Sequence, residues 1–397
     1  MSKLKTNTIQ HTGGSADNIT LDNSQNVTVE GNLTVDGTTT ISGYNPTSSR
    51  NNRNLIINGA MQVNQRQSSP GLSDFNPVSS AMYTLDRWYF GNGSSFDTDS
   101  ARIKQIAGSH PEFDNSLRVD IGNTETPSAG QNACIVQKIE AQNLQHLAYG
   151  DSSAKSCTLS FWVYSNKTGT YCVQIQHRDA DKYLLYEYSI SSSNTWEKKT
   201  ITFPGNTANA ITNDNGEGLN INWHLTCHSD DHVAATTSWT ANNSGKYYAT
   251  SNQVNLWDNT ANYWYFTGVQ LEVGSVATDF EHRSYGDELA RCQRYFYGIN
   301  NADSQFRGIG YGGGPNWATC VLYFPTTMRA APTGSGSNLG DLYFNNGASA
   351  WNSSSLTFNT CKYSTTFGAN MSGSSQGQSL SIYSTGSAVK LNFDAEL

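Results

Sequence analysis

The sequence predicts an all-β protein, and three observations carry that prediction. Charged residues make up 14% of the 397-residue chain, against about 25% in an average soluble domain. Short uncharged polar residues take much of their place, while aromatics reach 11% with 21 Tyr and 9 Trp, so this is not the aromatic-poor, charge-rich composition of a disordered chain. Short runs of alternating apolar and polar residues recur from about residue 55 onward, separated by Asn/Gly/Ser tracts. That is the pattern of half-buried strands joined by turns.

Residues 1–50 form a zone of their own, with no aromatic before Tyr44. A short phrase recurs in it: ITL (19–21), VTV (27–29), LTV (33–35) and TTI (39–41), with Gly31, Gly37 and Gly43 six apart. A fixed period marks a unit that must stack on something to bury its apolar side, and strands this short make no core alone. Ile19, Leu21, Val27, Val29, Leu33, Val35 and Ile41 are therefore expected to be buried between copies of the chain, most simply in a three-fold intertwined shaft. Residues 45–53 read as a linker.

Residues 51–283 are expected to form one jelly roll or β-sandwich, with strands over 55–65, 84–90, 117–121, 133–139, 157–165, 171–178, 183–190, 199–203, 219–227 and 262–273. The pattern changes at 284–297. Ser284 and Asp287 resemble a capping box, Asp287 and Glu288 lie in the first turn, and Arg291 and Arg294 near the end, as a helix dipole prefers. Leu289, Cys292 and Phe296 would share one face. This is a short amphipathic helix linking two domains. Residues 298–397 are expected to form a smaller sandwich with strands over 318–324, 341–344, 355–363, 379–384 and 388–397. The Gly/Ser-rich tracts at 310–316, 333–338 and 372–379 read as loops.

Composition and spacing exclude several function classes. No run approaches 18 apolar residues, so no helical membrane insertion is expected, and the opening residues lack a secretory signal. Lys+Arg number 24 against 32 Asp+Glu, net −8, which opposes nucleic-acid binding. The seven cysteines have no CxxC spacing and read as reduced, buried small hydrophobes of a chain made in a reducing cytoplasm. The cluster WHLTCHSDDH holds His224, Cys227, His228, Asp230, Asp231 and His232, but its flanks read as a strand and its turn rather than a metal site. The acid pairs Asp179/Asp181, Asp230/Asp231 and Asp97/Asp99 lie in turn-like polar strings, where solvated Asp is the default rather than a glycosidase pair. GxSxG, HExxH and phosphate-binding glycine loops do not occur. No cofactor and no catalysis are expected.

The stretches TGVQLEVGSVATDFEHRSYGDELARCQRYF (267–296), NLIINGAMQVNQR (54–66), YTLDRW (83–88) and SFWVYSNKTGTY (160–171), with the opening LKTNTIQHTGGSADNITLDNSQNVTVEGNLTVDG, resemble the tail-fibre and structural proteins of tailed bacteriophages, particularly marine ones. The resemblance covers roughly residues 1–300. It implies a homotrimeric virion protein that docks on tail adaptor or nozzle proteins by its N-terminus and points its C-terminus outward. It also implies a central domain resembling a carbohydrate-binding-module jelly roll. Such modules often hold a structural Ca²⁺, for which Asp86, Gln270 and Glu272 would supply oxygens. A fibre of this kind would recognise a bacterial surface glycan without cleaving it. A decoration protein that never meets the host, or a glycan depolymerase, are the alternatives.

Sugars need exposed aromatic faces and short hydrogen-bonding side chains. Trp88, Trp162, Trp223 and Trp264 sit in alternating apolar strings and read as core, and Trp196 and Trp239 as structural. Trp351, in the polar string NNGASAWNSSS, is the expected glycan contact, with Tyr343, Phe344 and Trp317 as companions.

Overall fold

The structure is a computed structural model that describes residues 8–9, 19–21, 27–29, 52–66, 82–93, 100–242, 248–300, 307–315, 317–352, 355–370, 375–384 and 389–397. Among these residues the protein is mostly β, with one α-helix and four 3-10 segments, as the composition predicts. The chain divides into two compact units, residues 1–47 and 48–397. In the first, β1 (Thr8–Ile9), β2 (Ile19–Leu21) and β3 (Val27–Val29) form a small antiparallel sheet. Ile19 pairs with Val29 and Leu21 with Val27, so these two copies of the repeat pair within one chain. Leu33, Val35 and Ile41 lie outside the described residues.

The larger unit begins with two antiparallel sheets. Their strands are β4 (Met82–Leu85), β5 (Trp88–Asn92), β6 (Ala101–His110), β7 (Phe113–Ile121), β8 (Asn132–Glu140), β9 (Cys157–Ser165), β10 (Gly169–His177), β11 (Lys182–Ile190), β12 (Glu197–Phe203), β13 (Glu217–Cys227), β14 (Thr236–Ala241) and β15 (Tyr263–Val273). One sheet runs β14-β11-β10-β13-β8-β5-β4, the other β12-β9-β15-β7-β6. The alternation in the sequence sets what lies between them: Trp88, Ile135, Val173, Ile175, Ile221 and Trp223 from the first meet Leu117, Leu159, Phe161, Trp264 and Phe266 from the second, all at 5% exposure or less. Trp223 and Phe266 stand 4.8 Å apart edge to face, and Phe266 lies 5.2 Å from Trp88. Each fully buried side chain of this size contributes about 1.5–3 kcal/mol. Trp88, Trp223 and Trp264 are core residues, as expected. Trp162 is only half-buried.

Local backbone overrides alternation in two places. The expected strand 55–65 is a buried loop, because Asn58 (φ +61°) and Met61 (φ +56°) turn left-handed. The Asn58 amide holds that turn by donating to the carbonyls of Val63 and Asp86 (2.8 and 3.0 Å) and accepting from the Val63 N–H (2.9 Å). The expected strand 84–90 is a hairpin, β4–β5, whose turn holds Arg87 at φ +69°. Strands β6 and β14 and the 3-10 segment Ala141–Leu147 are additions to the sequence reading.

The linker helix α1 (Tyr285–Gln293) is present, capped by Ser284, whose Oγ accepts from the Asp287 N–H at 3.2 Å and donates to the Asp287 carboxylate at 2.7 Å. Its buried residues are Glu288 and Cys292. Glu288 accepts from the Asn58 N–H and pairs with Arg283. Phe296 does not extend the helical stripe, because it opens the next strand.

The remainder holds β16 (Phe296–Asn300), β17 (Arg307–Gly314), β18 (Trp317–Tyr323), β19 (Thr333–Ser337), β20 (Leu342–Asn345), β21 (Ala350–Asn352), β22 (Leu356–Thr360), β23 (Ser364–Asn370), β24 (Ser379–Ser384) and β25 (Lys390–Asp394). They form a three-stranded sheet, β16-β25-β19, and a seven-stranded one, β21-β20-β24-β17-β18-β23-β22, around Phe344, Phe367, Ile382, Leu391 and Phe393. Two tracts expected as loops are strands. In β19 a side chain at Gly334 would come within 2.5 Å of the Phe358 ring, so glycine is what lets that strand pack. β17 contains most of the tract 310–316.

The two sandwiches meet through ions and backbone. Arg87 is 1% exposed, stacks 3.6 Å from the Tyr295 ring centroid and pairs with Glu396. Arg66 reaches the same carboxylate at 2.8 Å while lying 3.8 Å from the Phe296 ring centroid. Arg294 forks onto Glu140 (2.7 and 3.0 Å), which also accepts from the Tyr295 hydroxyl at 2.7 Å. Burial alone would raise the Glu140 carboxyl. The Arg294 and Tyr295 hydrogen bonds outweigh it and hold the group below the usual carboxylate range.

Candidate functional site

The outward face of the jelly roll's seven-stranded sheet carries a groove of about 280 Å³, near the lower end of the 300–1,000 Å³ usual for ligand pockets. Register builds its floor. On β10, Gln174 and Gln176 alternate with core Val173 and Ile175. On β13, Asn220 and Asn222 alternate with core Ile221 and Trp223. Antiparallel pairing sets Gln174 beside Asn222, Gln176 beside Asn220 and Cys172 beside His224. On the other flank, β8 sets Lys138 beside Asn220, Val136 beside Asn222 and Cys134 beside His224, and β5 adds Tyr89 and Gly91.

The floor is thus a cross-strand array of uncharged amides. Gln174 Oε1 accepts from both Asn222 Nδ2 and Gln176 Nε2 at 2.9 Å, which orients the row. Tyr89 borders it on one side, with Lys138 4.9 Å from its ring centroid, and Tyr248 stands 5.8 Å from the His224 ring. At one end Glu217 pairs with Lys138 (2.7 Å) and Arg178 (3.3 Å). Against burial, the Lys138 hydrogen bond and charge, Asn220 and Arg178 hold Glu217 below the usual carboxylate range. His224 is 1% exposed, and burial lowers its pKa to about 3, so it is a neutral imidazole. Among the described residues, both its ring nitrogens, Asn220 Oδ1 and both amide atoms of Asn92 are buried without a hydrogen-bond partner. Buried polar groups are normally paired; these atoms lie beneath the surface, and the amides of β10 and β13 that line the groove are those of Gln176, Asn220 and Asn222.

In the cavity of about 490 Å³ beside α1, Arg283 is paired with Glu281 and Glu288, Arg294 with Glu140, and Arg291 with Asn52.

The expected glycan contacts split between two faces of the C-terminal sheet. Phe344 is fully buried in the core and makes no outside contact. Trp351 lies in strand β21, not a loop; it pairs with Phe344 and packs half-buried on the same core. Polar flanks misled there because β21 is a short edge strand. Tyr343 and Trp317 lie on the outer face. Tyr343 stacks 5.7 Å from Tyr383, and Trp317 Nε1 donates to Thr319 Oγ1 at 2.9 Å.

The expected Ca²⁺ oxygens belong to two separate hydrogen-bonded groups. Asp86, raised by burial, accepts both the Gln65 N–H and the Gln65 side chain at 2.6 Å. Gln270 donates to Glu272 (2.9 Å), which accepts from Thr278 at 2.7 and 2.8 Å. Among the described residues no group of three His, Cys, Asp or Glu could hold a metal ion. The WHLTCHSDDH segment is the end of β13 and a 3-10 turn, as read. Asp97 and Asp99 lie outside the described residues. Cys361 is exposed, an exception to the buried reading. Among the described residues no helix is long and apolar enough to cross a membrane.

No protein-family model matches the chain, and no curated protein matches it. Among solved structures it is similar to the family 11 carbohydrate-binding module from Clostridium thermocellum in complex with a β-1,3-1,4-mixed-linked tetrasaccharide (13% identity over 50% of this chain and 93% of that one, TM-score 0.25). It is also similar to the CBM22-2 xylan-binding domain from Paenibacillus barcinonensis (14% identity, 50% of this chain and 99% of that one, TM-score 0.27). A third likeness is to the enzymatically active domain of bacteriophage CBA120 tailspike protein 4 (12% identity, 53% of this chain and 22% of that one, TM-score 0.25).

Proposed function

We propose that this chain is a non-catalytic glycan-binding protein of a phage virion, a tail-fibre subunit that seats a segment of a bacterial surface polysaccharide in the groove over β10, β13 and β8. The observation that carries the reading is the amide row Gln176, Asn220 and Asn222 lining the groove, oriented by the buried Gln174 beside it. Each amide both donates and accepts, as sugar hydroxyls do, and the neighbouring Tyr89 and Tyr248 supply faces for the C–H side of a sugar ring. Hydrolysis of a glycosidic bond needs two carboxyls about 5–10 Å apart. Glu217 is the single acid among the described residues lining the groove, and it is ion-paired, which supports binding without cleavage.

The resemblance of residues 54–66 and 267–296 to fibre proteins supports the virion setting, attachment by the N-terminal segment and a homotrimer. Three modest sites on one fibre would gain through avidity.

The test is retention of the full-length protein on a panel of bacterial surface polysaccharides, with reducing ends assayed in the same samples. Wild-type protein is expected to be retained without releasing reducing ends. Asn222→Ala is expected to weaken retention about tenfold, the worth of one or two hydrogen bonds, in a variant that circular dichroism shows to be folded. Retention unaffected by Asn222→Ala and by Gln176→Ala would remove the groove from the reading. Release of reducing ends would replace binding by depolymerisation.

A further inference from the structure

We propose that the outer face of the five-stranded jelly-roll sheet is a second binding site, for a polysaccharide that carries uronic acids. The inference rests on the glycan-binding reading but not on the groove, which lies on the other sheet. Alternation builds the face. Phe161 and Val163 of β9, Trp264 and Phe266 of β15, and Leu117 and Val119 of β7 turn into the core, so Tyr164, Tyr263, Tyr265, Arg118 and Asp120 turn outward. The register sets Tyr164 beside Tyr265, Tyr265 beside Arg118, and Arg118 beside Lys104. Trp196, immediately before β12, extends this row past Tyr164.

The rings form one connected cluster. Tyr164 lies 5.4 Å from Trp196, 5.2 Å from Tyr265 and 6.1 Å from Tyr263, the last pair stacked. Trp196, Tyr164 and Tyr263 are half-buried, so each keeps part of its surface in water. The Arg118 guanidinium carbon stands 5.0 Å from the Tyr265 ring centroid and 5.4 Å from that of Tyr263. From Trp196 to Lys104 the row crosses five strands, roughly 20 Å at about 4.8 Å per strand. That is the length of a chain segment rather than of a single sugar.

Charge names the ligand. Arg118 forks onto Asp120 at 2.5 and 2.7 Å, Lys104 reaches the same carboxylate at 3.6 Å, and the register sets Arg102 opposite it. Three cations therefore meet one acid beside the rings, in a chain of net charge −8. The other acids of this face lie toward its far end. Glu272, 1% exposed, pairs with Arg53 at 3.9 Å. Glu112 and Asp279 line a cavity of about 260 Å³ with Lys198, and Asp114 sits at the start of β7. Rings suited to the C–H side of a sugar, next to surplus cations suited to carboxylates, fit an acidic sugar chain. A nucleic acid would call for a broader basic footprint.

The test is affinity electrophoresis of the full-length protein through gels holding polygalacturonate, the same polymer with its carboxyls reduced, or single-stranded polydeoxythymidylate. Affinity for polygalacturonate is expected to exceed that for the reduced polymer about tenfold, and to be lost in about 0.5 M salt. Arg102→Gln combined with Lys104→Gln, and separately Tyr263→Ala, are each expected to weaken it about tenfold, in variants that circular dichroism shows to be folded. Asn222→Ala, in the groove, is expected to leave it unchanged. Equal affinity for the acidic and reduced polymers, or for polydeoxythymidylate, would overturn the proposal. So would an affinity for polygalacturonate that Asn222→Ala weakens and the Arg102 and Lys104 substitutions do not. Surface polysaccharides retained through Asn222, with no binding of polygalacturonate, would overturn this site and leave the groove standing; no retention on any polysaccharide would overturn both.

Discussion

His224 shows how one buried residue ties a groove to solution conditions. Its imidazole is held neutral by burial, with a pKa lowered to about 3, whereas in the unfolded chain it would take up a proton near the ordinary value of about 6.5. The unfolded state therefore binds the extra proton between those limits. The residue's contribution to stability is whole above about pH 6.5 and falls by about 1.4 kcal/mol per pH unit as the pH drops toward 3. His224→Gln is expected to lose less stability than wild type between pH 7 and pH 5 in urea titrations at the two pH values. Equal losses would mean that the ring acquires a proton or a partner on folding. The cluster around His224 read correctly from the sequence as strand and turn. Its place over a groove was not legible, because that depends on β10 and β8, far away in the chain.

Elements differ in how much of their boundary is local. α1 is local: Ser284, the first-turn acids and the later arginines announce it. Ser284→Ala, which removes the acceptor for the Asp287 N–H, is expected to cost about 1 kcal/mol, read as a lower urea midpoint at unchanged slope. No loss would show that packing of Glu288 and Cys292 alone holds the helix. The 55–65 segment is the opposite case. Its alternation fits a strand, but the Asn58 amide closes a left-handed turn onto Val63 and Asp86, and no pattern of apolar residues reports that. The glycine-rich tracts at 310–316 and 333–338 read as loops because glycine weakens strands. Here they are strands in which Gly310, Gly313 and Gly334 let backbone and aromatic rings approach closer than another side chain would allow.

At the scale of the whole molecule, the joint between the sandwiches is the feature with most at stake. Glu396 receives both Arg66 and Arg87, and Arg87 is buried. Removing one partner of a buried pair strands the other charge, at about 3–5 kcal/mol. Glu396→Ala is expected to split calorimetric unfolding into two transitions, the C-terminal sandwich melting first. A single transition at the wild-type temperature would mean that the Arg294–Glu140 fork and the backbone bonds suffice. This joint lay almost wholly outside the sequence reading, since Arg66, Arg87 and Glu396 look like ordinary surface charges until residues some three hundred positions apart meet.

By itself the sequence determined the β class, the apolar side of most jelly-roll strands and the linker helix, because composition, two-residue alternation and capping are short-range properties of the chain. It also contained the groove in outline, as the polar alternation VQIQ on β10 and NIN on β13. Only the tertiary structure decided that those amides are neighbours in register, that Phe344 and Trp351 face a core, and that Tyr164, Tyr265 and Arg118 share one outer face. Which strands pair, and which side of a sheet is covered, follow from contacts between distant parts of the chain. Alternation says that a strand has two faces; only packing says which of them meets water.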